Sequence, residues 1–570
     1  MQKEQNTLNY SIFIWLRDCW QLAKPFWQSN ERWRGYTLII TVIILNLAMV
    51  GMTVLINQWY NVFYDAIQNY NKPVFFNSLI KFAILAFIYI TLAVLAYYFR
   101  KILEIKWRSW MTKYYLERWF KYKAYYKTRF TQVITDNPDQ RISEDINSFI
   151  VLFLDLSLGL MTSIVSLASF VVILWKISGA LDFTLLGHHI IINGYMVWAA
   201  VLYAIVGTYI TFKIGKPIIK LDFQQQAYEA DFRFGLMRVR EHAENIAFYN
   251  GEAREEKFLV GRFTNVINNF VAIIYRQLKI NIFNIGYDQI AIIFPILVSA
   301  PRYFAKIIKL GALMQIASAF GKVQDALSYF ISAYTTLSGW RAVMDRLCGF
   351  NASIDSANQL IGATIVPGSE LLKIDNLVIN LPNGNKLQGP ITLTLKEGER
   401  ILIRGRSGAG KTTFLRTLAG IWPYFEGQIS KLDALNSLFI AQRPYFPIGD
   451  LRSAICYPLT NNLPSDDKLN ELLIKCQLPH LIDKLAETSD WASQLSLGEQ
   501  QRVNFCRILV NQPDIIYLDE VTSALDEETE EELYKMLITE LPKSLIISVG
   551  HRSTIIKWHT QEYNFNNNIS

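Results

Sequence analysis

The chain has 570 residues, too many for one ordinary domain, and 51% of them are hydrophobic against 18% charged, proportions that exclude a disordered protein and an ordinary soluble enzyme and indicate a chain partly dissolved in lipid. The formal charge of +7 is uneven: from Ile365 onward 20 Lys and Arg stand against 25 Asp and Glu, which leaves 36 against 24 in the preceding part. A basic front beside apolar spans follows the positive-inside rule and anionic lipid, so the charge is not read as a nucleic-acid signal and no nucleic-acid partner is expected.

Residues 1–34 mix Trp15, Trp20, Phe26, Trp27 and Trp33 with Arg17, Asp18, Lys24, Glu31, Arg32 and Arg34. No short apolar run with a small-residue cleavage site can be drawn there, so an amphipathic segment at the membrane surface is expected, not a signal peptide. Apolar stretches near the ~20 residues that a spanning helix needs follow at Tyr36–Ile56, Leu79–Phe99, Phe149–Trp175, Gly194–Phe212 and Ile280–Ala300. A sixth, within Ile307–Leu337, is interrupted by Lys309, Lys322 and Asp325. Six spans are therefore expected in a membrane domain of residues 35–345. The long segments Arg100–Ser148 and Lys213–Lys279 are basic and are expected on the cytoplasmic side. Ala230–Tyr249 repeats apolar residues at i, i+3 and i+4 without Pro, so the spanning helices are expected to continue well beyond the membrane. Asp155 and Asp288 fall within candidate spans; Asp288, with Asn281, Asn284 and Gln289 nearby, is a candidate for lining a polar cavity. His188 and His189 are expected to be solvated in a short external loop. The five cysteines, odd in number and without a CxxC pair, are expected to be reduced thiols.

A linker of residues 346–369, containing Gly362, Pro367 and Gly368, separates this part from residues 370–570. There the periodicity changes. Leu371–Asn380 alternates as a strand does, while Arg400–Ile403 and Asp514–Leu518 read as buried strands followed by helices, the mark of an α/β domain with a largely parallel sheet.

Directly after one of these strands comes GxxxxGKT, from Gly405 to Thr412 through Arg406, Ser407, Gly408, Ala409, Gly410 and Lys411, with Thr413 next. In that context it is a P-loop. Its glycines let backbone N–H groups turn towards phosphate oxygens, Lys411 supplies a positive charge, Thr412 offers a hydroxyl to Mg²⁺, and the following helix adds its dipole. ATP and Mg²⁺ are the cofactors this implies. Downstream, Asp519 and Glu520 end a buried strand, where α/β sheets bind ligands. Asp519 is expected to hold Mg²⁺ through its shell and Glu520 to polarise the attacking water.

Between these motifs Ser496, Leu497, Gly498, Glu499, Gln500, Gln501 and Arg502 resemble the signature segment of ATP-binding cassette (ABC) ATPases. The order of the remaining elements is similar to that family too. The resemblance places Gln442 as the Q-loop glutamine, near ATP and metal, Ser523, Ala524, Leu525 and Asp526 as the D-loop, and His551 as the switch histidine. It extends to the membrane half: Asn137–Ile146, Glu244–Glu252, Gln442–Pro447 and Trp491–Arg502 resemble the subgroup that includes SbmA/BacA-related bacterial transporters and peroxisomal fatty acyl half-transporters. The fold this implies is an α-helical membrane domain of six spans with long cytoplasmic extensions, joined to an α/β P-loop ATPase domain of the ABC type.

The resemblance further implies a half-transporter in the bacterial inner membrane, with its ATPase domain in the cytoplasm, that acts as a homodimer. Each ATP would lie between one subunit's P-loop and the other's signature, and the segment from Asn137 and the helix Ala230–Tyr249 would flank the coupling contacts. Peptides, cobalamin-like compounds and fatty acyl compounds are the cargo classes suggested. An ATP-gated channel or membrane regulator would use the same residues and stays open as an alternative. Two departures from the family pattern stand out. Leu497 occupies a position where many signatures have glycine, and Leu371–Leu402 contains no aromatic residue to stack on adenine.

Overall fold

The computed structural model describes residues 12–131, 137–185, 188–360, 365–433 and 435–565. The chain divides into two compact units, one of residues 1–118 and 135–351, the other of residues 119–134 and 352–570. Of the expected amphipathic segment, residues 1–11 lie outside the described residues, as does Gly362 of the linker.

The first unit is helical. A short helix, Ile12–Trp27, precedes Arg32–Gln68, Lys72–Phe120, Ile146–Ser178, Tyr195–Glu241, Glu252–Phe304 and Leu310–Gln359. Among the described residues five helical stretches are long and apolar enough to cross a membrane, and they contain the first five expected spans except for Gly194, which caps the fourth. The sixth expected span falls on Leu310–Gln359, a helix of 50 residues whose apolar pattern is broken by Lys322 and Asp325. At about 1.5 Å per residue the 53-residue helix Glu252–Phe304 is about 80 Å long, far more than the ~30 Å of hydrocarbon. Between Ile146–Ser178 and Tyr195–Glu241, the strands Ala180–Leu185 and His188–Asn193 pair antiparallel, with Ala180 opposite Asn193. His188 and His189 therefore sit on a strand, and their side chains lie outside the described residues.

Several polar residues inside this unit are paired, as low-dielectric surroundings favour. Asn57 donates to the carbonyl of Gln315 at 3.1 Å, the Gln315 amide donates back to Asn57 at 3.1 Å, and Asn61 donates to Gln315 at 2.7 Å. Asp155 meets Arg100 at 2.7 Å. Asp145, only 3% exposed, pairs with Arg141 and, at 2.6 Å, with Arg346. Asp288 is on an exposed face of its helix, next to Tyr287, whose ring stacks on that of Tyr203 at 4.3 Å.

In the second unit, five strands run parallel in the order Gln561–Asn564, Arg400–Arg404, Leu545–Val549, Ile515–Asp519 and Ser437–Ile440. Ile515–Asp519 and Leu545–Val549 are buried along their whole length, which explains their largely apolar sequence. A second sheet holds Ile365–Pro367, Phe425–Lys431, Leu372–Asn380 and Lys386–Leu395. The segment 119–134 belongs with this unit: the ring of Phe130 packs edge-on against Trp422 at 5.1 Å, and Tyr424 donates its hydroxyl to the Phe130 carbonyl at 2.9 Å. The five cysteines are free thiols, four of them buried.

Candidate functional site

The strand Arg400–Arg404 ends in a loop that leads into the helix Lys411–Leu418. Gly408 (φ +82°) and Gly410 (φ +91°) take the left-handed conformation that glycine favours; a Cβ at Gly408 would enter open space, and one at Gly410 would crowd Leu387 at 3.0 Å. Lys411 is folded across the loop, donating to the carbonyls of Gly405 at 2.8 Å and Arg406 at 3.0 Å. Burial pushes its ammonium pKa down, against the pull of Glu520 and Asp519. Ala409 closes the turn onto the Arg406 carbonyl at 3.2 Å, and Thr413 uses its carbonyl to accept from Thr417 at 2.8 Å. Ser407 lies in the same turn, exposed.

Thr412 Oγ1 donates to Asp519 Oδ1 at 3.2 Å. Asp519 is 6% exposed; burial first, then the neighbouring charge of Glu520, raises its carboxyl pKa, and the Thr412 bond opposes the rise. These hard oxygen donors at the mouth of the phosphate cradle fit Mg²⁺, which takes one or two protein oxygens and completes its shell with phosphate and water. Glu520 follows in a left-handed conformation (φ +51°), unusual for a residue with a side chain. Backbone bonds hold it there: its N–H donates to Val549 at 3.0 Å, and Ser523 N–H donates to the Glu520 carbonyl at 3.2 Å. The carboxylate lies between two side chains. Gln442 donates to Oε2 at 2.9 Å, and His551 Nε2 lies 3.4 Å from Oε1. Gln442, expected near ATP and metal, is thus bonded to Glu520 and not to the Thr412–Asp519 pair.

Ser496 caps the helix Leu497–Asn511 and forms a reciprocal capping box with Glu499. Leu497 projects from the first turn, 46% exposed, while a Cβ on Gly498 would meet only ordinary contacts with Ala524 and Leu525. Gln500 donates back to the carbonyls of Ala492 and Leu495 at 2.7 and 2.9 Å. The segment Ser523–Asp526 is held from both sides. Gln501, fully buried, donates to Ser523 Oγ at 3.1 Å and accepts from Ala524 N–H at 3.0 Å. Arg552 donates to the carbonyls of Leu525 at 2.7 Å and Ser523 at 3.2 Å. Asp526 then caps the next helix through Thr529 N–H at 2.8 Å.

Sequence reasoning assigned no role to Gln501 or Arg552, although both stand inside recognised segments; a buried glutamine on the apolar face of a helix is the signal that was available. It also missed Tyr126, Arg129 and Phe130, which with Thr412, Arg416 and Asp519 line a cavity of about 320 Å³ beside the metal-type oxygens. The run of aromatic and basic residues from Lys121 to Phe130 carries no strong helical period, and only the packing reveals its place.

Two family models match the chain: ABC transporter transmembrane region 2 over residues 22–304, and ABC transporter over residues 389–523. An ABC transporter ATP-binding protein of Haemophilus influenzae is 37% identical, over 97% of this chain and 94% of that protein. The inner membrane ABC transporter ATP-binding protein YddA of Escherichia coli is 35% identical, over 93% and 94%. The human lysosomal cobalamin transporter ABCD4 is 26% identical, over 94% and 92%. In fold, the chain is similar to a bacterial Atm1-family ABC exporter with ATP bound, with a TM-score of 0.69 over 92% of both chains at 18% identity. The chain belongs to the ABC transporter family, as a half-transporter whose membrane domain and ATPase domain share one polypeptide and whose ATP hydrolysis is coupled to transport.

Proposed function

We propose that this half-transporter works as a homodimer in a bacterial inner membrane, moving a bulky solute of the peptide, cobalamin-like or fatty acyl class. The membrane is suggested by YddA, and the cargo classes by the cobalamin transporter among the relatives and by the family resemblance. The observation that carries the catalytic half of this reading is the placement of Glu520 between Gln442 and His551, beside the Thr412–Asp519 pair.

On this reading the loop 405–413 and Lys411 bind the phosphates of ATP. Thr412 and Asp519 would hold Mg²⁺, and Gln442 would join them on release from Glu520. The ion supplies charge neutralisation at the phosphates. Glu520 accepts the proton of the attacking water, Gln442 holds its Oε2 before that release, and His551, beside Oε1, faces the developing phosphate charge. Ser496 and Gly498, with Glu499 and Gln500 behind them, meet the nucleotide held by the other subunit, and the D-loop Ser523–Asp526 links that contact to Glu520. Closure by ATP requires that ATP bind the closed state more tightly than the open one.

The test is uptake by proteoliposomes holding the full chain, screened with a cationic peptide, a cobalamin and a fatty acyl compound. ATP-dependent uphill accumulation of one class, abolished by Glu520→Gln, supports the proposal. Intact ATPase activity without uphill accumulation of any class would favour a gated channel or regulator.

A further inference from the structure

The signature helix starts from a closed set of hydrogen bonds that leaves one oxygen of Glu499 over. Oε2 of Glu499 accepts from Ser496 N–H at 2.9 Å and from Ser496 Oγ at 2.7 Å, while Glu499 N–H donates to Ser496 Oγ at 3.3 Å. The capping box is complete with these bonds. The other oxygen, Oε1, lies 2.8 Å from Nε2 of His480. His480 comes from a different element, the turn Pro479–Lys484, and its side chain is half exposed. Its backbone is anchored by Leu478 and Leu481, both essentially buried, so the ring is delivered to Glu499 by packing and not by a chance surface contact. Burial works against the charge of Glu499, yet the bonds from Ser496 and His480 hold its carboxyl below the ordinary range.

This arrangement sets a conflict at the place where a phosphate would arrive. A serine hydroxyl has one proton, and here it is given to Glu499 Oε2. The carboxylate also puts a negative charge in the first turn of a helix whose N-terminus would otherwise favour an anion. A donor on Oε1 eases both difficulties: it draws carboxylate charge away from Oε2, loosening the grip on the serine proton, and it fixes the carboxylate so that it does not swing towards the phosphate.

We infer that His480 is a positioning residue for the nucleotide contact of the signature segment: it holds Glu499 by Oε1 so that the Ser496 hydroxyl can pass from Glu499 to the γ-phosphate. The inference depends on the reading of Ser496 as a ligand of the other subunit's ATP. His480 itself touches neither nucleotide nor reacting atoms in this scheme.

The experiment uses the full chain purified in the Glu520→Gln background and measures the ATP concentration for half-maximal occlusion. Ser496→Ala tests the underlying reading by itself: unchanged occlusion in that variant refutes it, whatever His480 does. Provided that Ser496→Ala impairs occlusion, His480→Ala is expected to raise the half-maximal concentration about fivefold, the size of one lost bond to a charged group after partial compensation by water. His480→Gln, which keeps an N–H donor, is expected to restore it to within about twofold. In a Glu499→Gln background His480→Ala is expected to add nothing, since the carboxylate it manages is gone. An unchanged concentration in His480→Ala overturns the inference. So does a loss of the same size with Glu499→Gln already present, which is what simple unfolding of the turn would produce.

Discussion

Replacing Glu520 with Gln separates ATP binding from hydrolysis, and the local geometry sets the expected size of each effect. The amide has the same shape as the carboxylate and can sit between Gln442 and His551, which now lie 2.9 Å and 3.4 Å from its oxygens. Its oxygen can still accept from Gln442, so that bond changes from charge-assisted to neutral, a loss of about 1 kcal/mol. The φ of +51° is no harder for Gln than for Glu, and Lys411, Thr412 and the loop glycines are untouched. Phosphate binding should therefore survive. The chemical step loses its proton acceptor, a contribution of about 10²–10⁴ in rate, or about 2.7–5.4 kcal/mol. The expected outcome is phosphate release slowed at least about a hundredfold at saturating ATP and Mg²⁺, with ATP retained on the protein after rapid filtration. Phosphate release within about threefold of wild type would refute the assignment of Glu520 as the water-activating group.

Three further outcomes are expected. A heterodimer of one Lys411→Ala subunit and one Ser496→Ala subunit should keep one intact ATP site and carry one with both defects, so ATP occlusion should approach one nucleotide per dimer; two equally damaged sites would show that each site lies within one subunit. Because residues 371–402 contain no aromatic side chain, and base stacking is worth about 1–3 kcal/mol, GTP should support hydrolysis within roughly tenfold of ATP, and Leu381→Tyr should sharpen the preference for ATP; strong discrimination by the wild type would refute this. Burial and the charge of Glu520 raise the Asp519 carboxyl pKa, so protons should compete with Mg²⁺. Calorimetric titration with Mg²⁺ and ATP should then show affinity present above the raised pKa and falling as pH drops through it, starting above the ordinary carboxylate value of about 3.9. An affinity insensitive to pH down to that value would count against Asp519 as the metal-side acid.

What the sequence made legible was local. Gly405 to Thr412 could be read because the loop, its lysine and its threonine are contiguous, and the strands at 400–403 and 514–518 because burial on both faces imposes an apolar run at 401–403 and 515–518. Arg141 to Asp145 gave no hint that they form a single π-helical turn with a buried ion pair at its end, since that depends on Arg346 approaching from two hundred residues away. The same holds for Arg552 on the D-loop and His480 on Glu499: each is an ordinary surface-type residue until the fold supplies its partner. The last span was difficult for a different reason. Lys322 and Asp325 dilute its apolar character, and an apolar window registers composition without registering which face of the helix carries the charges.

The packing of Phe130 on Trp422 and Tyr424 also governs how the chain can be made. The bond from Tyr424 to the Phe130 carbonyl joins residues 294 positions apart. At roughly 5–20 residues per second, a ribosome needs about 15–60 s to deliver the second partner after the first. During that interval the last three of the five strongly apolar spans are made and threaded into lipid behind the first two, while Tyr126 and Phe130 wait without the surface they will cover. A gene fragment cut at the linker before residue 370 would encode the ATPase without this arm, exposing Trp422 and Tyr424. Synthesis of that fragment as a soluble protein calls for residues 119–134 to be grafted back or for those two aromatic positions to be made polar.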